Sequence, residues 1–101
     1  MEKRFSDATQ EDLFPTSARL AIMLFLVNHR KIGFSELQKL LKLTPGNLDH
    51  HIKKLEEANY VKTRRSLLSG RAMIVIEITE HGDISFREYI HELKKTINKI
   101  T

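Results

Sequence analysis

Thr44-Pro45-Gly46-Asn47-Leu48-Asp49-His50-His51-Ile52-Lys53-Lys54-Leu55-Glu56-Glu57-Ala58-Asn59-Tyr60-Val61 reads as one capped helix that runs into a strand. Thr44 suits the N-cap, where its hydroxyl can accept a free first-turn N–H, and Pro45 suits the first helical position, where no N–H is needed. At about 100° per residue, Leu48, Ile52 and Leu55 fall in one narrow arc that must be the buried side. The opposite arc gathers Gly46, Asn47, His50, Lys53 and Lys54, with Asp49 on its flank. This helix has an apolar back and a polar, basic front.

Working outward, Ser35-Glu36-Leu37-Gln38 carries the S-x-x-Q pattern of a capping box and predicts a short preceding helix. Leu37, Leu40 and Leu41 supply its apolar stripe, and Leu43 ends it. Ile32-Gly33-Phe34 ahead of it reads as extended. Further back, a helix is predicted to start at Thr16 or Ser17 after Pro15, with a body, Arg19 to Val27, that is apolar on nearly every face. Such a helix needs cover on a second face, from another chain or from the C-terminal helix of its own. Downstream, Tyr60–Arg65 and Ala72–Ile78 are rich in β-formers, with Leu67–Arg71 as the intervening turn, so they predict a hairpin. Thr79 caps a last helix whose apolar residues Phe86, Ile90, Leu93, Ile97 and Ile100 are spaced four, three, four, three, a seam of two heptads.

The composition sets the outer bounds. At 101 residues, 41% hydrophobic and 30% charged, the chain suits one folded domain and not a disordered segment. Its longest apolar run, Leu20 to Val27, is eight residues, far short of the ~20 that a membrane span needs. The first residues lack the apolar core of a secretory signal, and the cytoplasm is the expected location. With no cysteine there is no disulfide, thiolate metal site or thiol nucleophile. Seventeen Lys and Arg against thirteen Asp and Glu leave +4. Between Lys53 and Arg71 six cations face two carboxylates, so the whole excess sits in under a fifth of the chain. A local cluster of this kind is a candidate surface for a large anion, and nucleic acid is the commonest one.

Two short helices joined by a tight turn have the form of a helix-turn-helix. A major groove about 12 Å wide admits one helix with its N-terminal turns toward the base edges. Small residues allow close approach and polar ones bond to bases; Gly46, Asn47, Asp49 and His50 meet both demands, with Lys53 and Lys54 behind them for phosphates. The hairpin tip, read as carrying Arg64, Arg65 and Arg71, is placed to follow the backbone or enter the minor groove.

Thr44–Val61 resembles the recognition-helix signature of ArsR/MarR-type winged helix-turn-helix transcriptional regulators. The likeness extends back to Ser17-Ala-Arg-Leu-Ala-Ile22 and forward to Glu77-Ile-Thr-Glu-His-Gly82. Asn59 stands where that family usually has Gly; Asn tolerates a left-handed cap conformation, so the turn can persist. The resemblance implies an α+β, mostly helical fold with a three-helix core, a two-stranded β wing and a C-terminal dimerisation helix. Its division is an N-terminal arm over 1–14, a DNA-binding domain over 15–79 and the dimerisation helix over 80–101. It also implies a homodimer on a palindromic operator, read as a repressor. Asn47, Asp49, His50 and Lys53 are then expected to read bases, Lys54, Arg64, Arg65 and Arg71 to hold phosphates or the minor groove, and Thr44 and Gly46 to complete the DNA-facing set. Ile22, Phe25, Leu26, Phe86, Ile90, Leu93, Ile97 and Ile100 are expected at the dimer interface.

Other chemistries fit less well. His50 and His51 are neighbours on a helix and point about 100° apart, which is poor for chelating one ion. His81 and His91, ten residues apart, miss alignment on one helix face by one residue. No phosphate-cradling glycine loop and no nucleophile–base set appears, so neither catalysis nor a cofactor is expected. The rival readings are a winged helix used for protein contacts, which calls for an apolar recognition face, and a metal-dependent nuclease. No small-molecule effector is specified by the sequence, and no membrane partner is expected.

Overall fold

A computed structural model describes residues 17–101; the arm read over 1–14 and the Pro15–Thr16 helix start lie outside the described residues. The element order is α1 (Ser17–His29), β1 (Lys31–Gly33), α2 (Phe34–Leu41), α3 (Pro45–Glu57), β2 (Val61–Leu68), β3 (Arg71–Ile78) and α4 (Glu80–Ile100). The strands form one antiparallel sheet in the order β1-β3-β2. The sheet therefore has three strands, not the two of the expected wing alone. Lys31, Ile32 and Gly33 pair with Glu77, Ile76 and Val75, so the short extended segment read at Ile32–Phe34 is a strand that starts one residue earlier and leaves Phe34 to α2.

The apolar arc of α3 is the centre of the core. Leu48, Ile52 and Leu55 are buried against Ile22, Met23 and Leu26 of α1, Leu37 of α2, Ile76 and Ile78 of β3, and Phe86 of α4. Tyr60 and Val61, the first residues after α3, are buried in the same cluster. This packing corrects the interface expectation at three positions. Ile22, Leu26 and Phe86 are no more than 1% exposed within a single chain, so they are core residues and not contacts to a second copy. The cover that α1 needs on a second face comes from the chain's own core, and of its apolar residues Leu24 alone is well exposed, with Phe25 half-buried.

Three local expectations shift for identifiable reasons. The S-x-x-Q pattern does not cap α2: pairing with β3 holds Gly33 extended as the N-cap, and its N–H donates to Glu36 Oε1 at 3.3 Å. Leu40 is 54% exposed and lies off the stripe that Leu37 and Leu41 supply. The hairpin turn is Ser69-Gly70 alone, both at positive φ, as a two-residue type I′ turn requires, so Leu67, Leu68 and Arg71 are strand residues.

Both helices of the helix-turn-helix end in left-handed residues. Lys42 (φ 57°) closes α2 with Leu43 N–H donating to Gln38 O, and Asn59 (φ 63°) closes α3 with Tyr60 N–H donating to Leu55 O. The tolerance expected of Asn59 is thus used.

Two ionisable groups tie the packing to pH. Asp83, in the first turn of α4, accepts from Arg87 Nε at 2.8 Å and lies 3.2 Å from Arg30 Nη1 at the end of α1. Burial alone would raise its carboxyl, but the hydrogen bonds and charges of Arg87 and Arg30 hold it below its ordinary value. His51 lies beside the buried arc of α3, and Arg19 of α1 is 7% exposed. Partial burial, then the positive charge of Arg19 and that of His50, push the His51 imidazole down.

Leu48→Ala should lower stability by about 2–5 kcal/mol, read as a fall in melting temperature, because the site is enclosed on every side. Both depressed groups stabilise the fold only while deprotonated, in separate pH windows. The His51 contribution is present above about pH 6.5 and is lost as pH falls through its folded value; that of Asp83 is lost in the same sense below about pH 4. Denaturant unfolding of His51→Gln should flatten the upper window and that of Asp83→Asn the lower one.

Candidate nucleic-acid interface

The polar front of α3 begins at its cap. Thr44 Oγ1 accepts from Asn47 N–H at 3.1 Å, which fixes the first turn and leaves the hydroxyl's own proton available to an incoming acceptor. Behind the cap, Gly46, Asn47, Asp49, His50, Lys53 and Lys54 are all exposed, while Leu48, Ile52 and Leu55 point inward. The helix therefore offers to solvent the ridge that its spacing predicts. Gly46 is the most informative position in it. A Cβ added there would meet nothing within 4 Å, and the backbone does not take the left-handed conformation that favours glycine. Among the described residues nothing requires glycine at this point.

Charges along the ridge are partly engaged already. Asp49 Oδ2 lies 3.4 Å from Lys53 Nζ one turn on, both well exposed, so this is a weak surface pair whose partners can separate. His50 and His51 have ring centroids 5.6 Å apart at 59°, and the two differ in burial: His50 is exposed and His51 only partly so. Among the described residues no group of three or more His, Cys, Asp or Glu is placed to hold a metal ion. His81 packs edge-on against Tyr60, with centroids 5.4 Å apart.

The hairpin distributes its arginines differently from expectation. Arg71 pairs with Leu68 next to the turn, but Arg65 pairs with Ile74 and Arg64 with Val75, further down the ladder. Only Arg71 is therefore at the tip. Strand alternation also separates the other two. Arg65 shares a face with Thr63, whose hydroxyl donates to Glu56 Oε2 of α3 at 2.9 Å, so that face is turned toward the helix. Arg64 and Arg71 lie on the opposite face, and there Arg64 Nε is held by Glu77 Oε1 at 3.2 Å. Among the described residues, Lys54, Arg65 and Arg71 have no carboxylate in ion-pair range.

Two further cations join this side of the molecule. Lys42 is exposed in the turn between α2 and α3, in the left-handed position that closes α2. Lys39 of α2 lines an open cavity of about 590 Å³ together with Ser35, Phe34 and, from the hairpin, Ser69 and Arg71 to Ile74. The sequence reading missed Lys39 and Lys42 because it treated α2 only as a support for α3; their place on the polar side of a helix whose apolar residues are Leu37 and Leu41 was the available signal.

Comparison with known proteins agrees with this architecture. The description "Winged helix DNA-binding domain" matches residues 18–97. An uncharacterized protein of Methanocaldococcus jannaschii is 40% identical over 81 residues, 80% of this chain and 88% of that one. A riboflavin kinase of Thermofilum pendens is 31% identical over 90 residues, but those cover 38% of that longer protein. Among solved structures, a transcriptional regulator homologue from Pyrococcus horikoshii superposes with a TM-score of 0.87 at 36% identity, over 98% of both chains. The YusO protein of Bacillus subtilis shares the fold at 22% identity, with a TM-score of 0.74 over 97% of this chain and 70% of its own. Among the described residues no helix is long and apolar enough to cross a membrane. The chain belongs to the winged helix DNA-binding family, and it shares its fold with a solved transcriptional regulator homologue.

Proposed function

We propose that this protein is a homodimeric, sequence-specific regulator that binds a palindromic operator in duplex DNA and acts there as a repressor. The observation that carries the reading is the unexplained glycine at the head of an exposed polar ridge. Among the described residues Gly46 answers no demand of the fold, which supports a partner that approaches the backbone closely. In this reading Asn47, Asp49, His50 and Lys53 meet base edges, and Thr44 and Lys54 meet phosphates. Asp49 and Lys53 exchange their mutual pair for contacts on opposite chemistry, the carboxylate to a cytosine amino group and the ammonium to a guanine or a phosphate. Arg65 on the helix-facing side and Arg71 at the turn supply backbone or minor-groove contacts, while Arg64 stays engaged with Glu77.

The dimer rests on what remains of the α4 seam. Ile97 and Ile100 are 46% and 80% exposed, and Ile90 and Leu93 are half-buried. A row of this kind on a helix of 21 residues favours a second copy of the same seam over solvent. On α1, Leu24 is 44% exposed and Phe25 half-buried, and they are the apolar residues of that helix left for a second copy; Ile84, 53% exposed, lies on the opposite side of α4 from the seam. Two-fold symmetry then calls for recognition helices about 34 Å apart, one turn of DNA. A repressor is the simplest outcome, since occupancy of an operator excludes polymerase without a further contact. The proposed division is residues 15–79 on DNA and 80–101 between copies.

Selection from a random duplex pool is expected to return a two-fold symmetric site; a non-symmetric site, or no enrichment at low salt, would contradict the reading. Gly46→Ala should leave the melting temperature unchanged or slightly raised, since alanine favours a helix, and yet weaken binding to the selected site. Arg65→Ala and Arg71→Ala should each weaken binding to all sequences and lower the slope of log K against log salt by about 1, whereas Arg64→Ala should change it less. His50→Ala should instead alter which bases the selection returns.

A further inference from the structure

We infer that Thr79 and Gly82 determine the half-site spacing that the protein accepts, because they lock the base of α4 onto the end of the recognition helix. The inference rests on the homodimer reading above and adds to it the element that converts dimerisation into geometry on DNA.

The contact sits at the open end of the β2–β3 hairpin, where Tyr60 faces Thr79 one step beyond the Val61–Ile78 pair. Asn59 and Tyr60 terminate α3: their N–H groups donate back to Glu56 O and Leu55 O at 2.9 Å each. Their carbonyls, which point away from α3, are taken by Thr79. Its N–H donates to Tyr60 O at 3.0 Å, and its hydroxyl proton is shared between Asn59 O at 2.7 Å and Tyr60 O at 3.2 Å. The same hydroxyl oxygen accepts from Gly82 N–H at 2.8 Å, which makes it the N-cap of α4. One oxygen thus joins the carbonyls that follow the recognition helix to the first turn of the C-terminal helix, at the open end of the β2–β3 hairpin.

Gly82 makes the joint close. A Cβ at this position would lie 2.1 Å from Tyr60 O and under 3 Å from two further backbone atoms of Tyr60. No side-chain adjustment relieves an overlap with backbone, so any other residue must lift α4 away from Tyr60. Gly82 is not at positive φ, so proximity and not conformational freedom is what demands glycine. A second strut, Arg30–Asp83–Arg87, braces the same turn against the end of α1. Beyond Leu93 every residue of α4 is exposed, so the far end of the helix takes its direction from this joint and from Phe86, Tyr89 and Ile90, which pack on the core.

Leverage makes the joint matter for DNA. Twenty-one residues extend roughly 31 Å, and a tilt of about 10° at the base displaces the far end by roughly 5 Å. One base pair rises ~3.4 Å. With the two copies joined along the exposed part of α4, a small rotation at Thr79 and Gly82 moves the recognition helices by more than one base-pair step relative to each other.

The test uses the full chain and the selected palindrome, remade with spacers shortened or lengthened by one and two base pairs, together with a single half-site. Thr79→Val keeps the shape and removes the hydroxyl, Thr79→Ser restores it, and Gly82→Ala inserts the methyl. Wild type and Thr79→Ser are expected to favour one spacer by roughly tenfold, the size of a mismatched base pair. Thr79→Val and Gly82→Ala are expected to shift or flatten that preference while half-site affinity stays within about twofold and light scattering still gives a dimer. If Gly82→Ala does not fold, the Val and Ser pair decides. An unchanged spacer profile in folded Thr79→Val overturns the inference, as does a wild type indifferent to spacing. A monomeric wild type on the same light-scattering measurement refutes the homodimer reading itself, and this outcome is distinct from the other two.

Discussion

The burial of one face of α3 is the constraint on which the other features depend. Leu48, Ile52 and Leu55 enter a core built by α1, α2, the sheet and the first turns of α4, and because they occupy one arc, the remaining residues have no choice of direction. Gly46, Asn47, His50 and Lys53 face outward since the leucines and isoleucine face inward. The orientation of a recognition surface is thus set by hydrophobic packing, at a few kcal/mol per side chain, and not by the weak surface charges on the surface itself. Weakening that packing would disperse the polar ridge before any of its own residues was altered.

The same helix is held at both ends by backbone chemistry. Thr44 caps its start, and left-handed Asn59 turns the chain into β2 while presenting two carbonyls to Thr79. Recognition helix, wing and C-terminal helix therefore meet at a corner of four residues, Asn59, Tyr60, Thr79 and Gly82. The β1 strand adds a third edge to the wing and, by holding Gly33 extended, also starts α2. Each short element settles the boundary of the next, which is how a chain with few long elements reaches a single arrangement.

Much of this was legible in the sequence where periodicity and capping coincide. The α3 arc, its Thr-Pro start, the hairpin and the Thr79 cap all carry local signals that tertiary contacts do not override. Readings that depend on distant partners failed. The apolar α1 reads as needing cover from a second chain or from the C-terminal helix; Ile22 and Leu26 lie in the chain's own core with the α3 arc and Phe86, whose positions no local pattern in α1 reveals. Phe86 fits a heptad by spacing yet lies at the base of α4, where the chain's own core reaches it. Arg64 and Arg65 read as tip residues since the turn was drawn too long; the strands continue to Leu68 and from Arg71, and alternation then puts the two arginines on opposite faces. The approach of Gly82 to Tyr60 has no sequence signal beyond the glycine itself.

The central claim is that the outward ridge of α3, together with the helix-facing side of the wing, is where the protein meets DNA. Amide chemical-shift mapping of isotopically labelled protein during titration with the selected duplex tests it most directly. Shifts concentrated in residues 44–54, at Arg65 and around the Ser69-Gly70 turn, with the exposed half of α4 unperturbed, are the predicted result. A perturbed surface confined to α4, or one that leaves Gly46, Asn47 and His50 unchanged, would contradict the account.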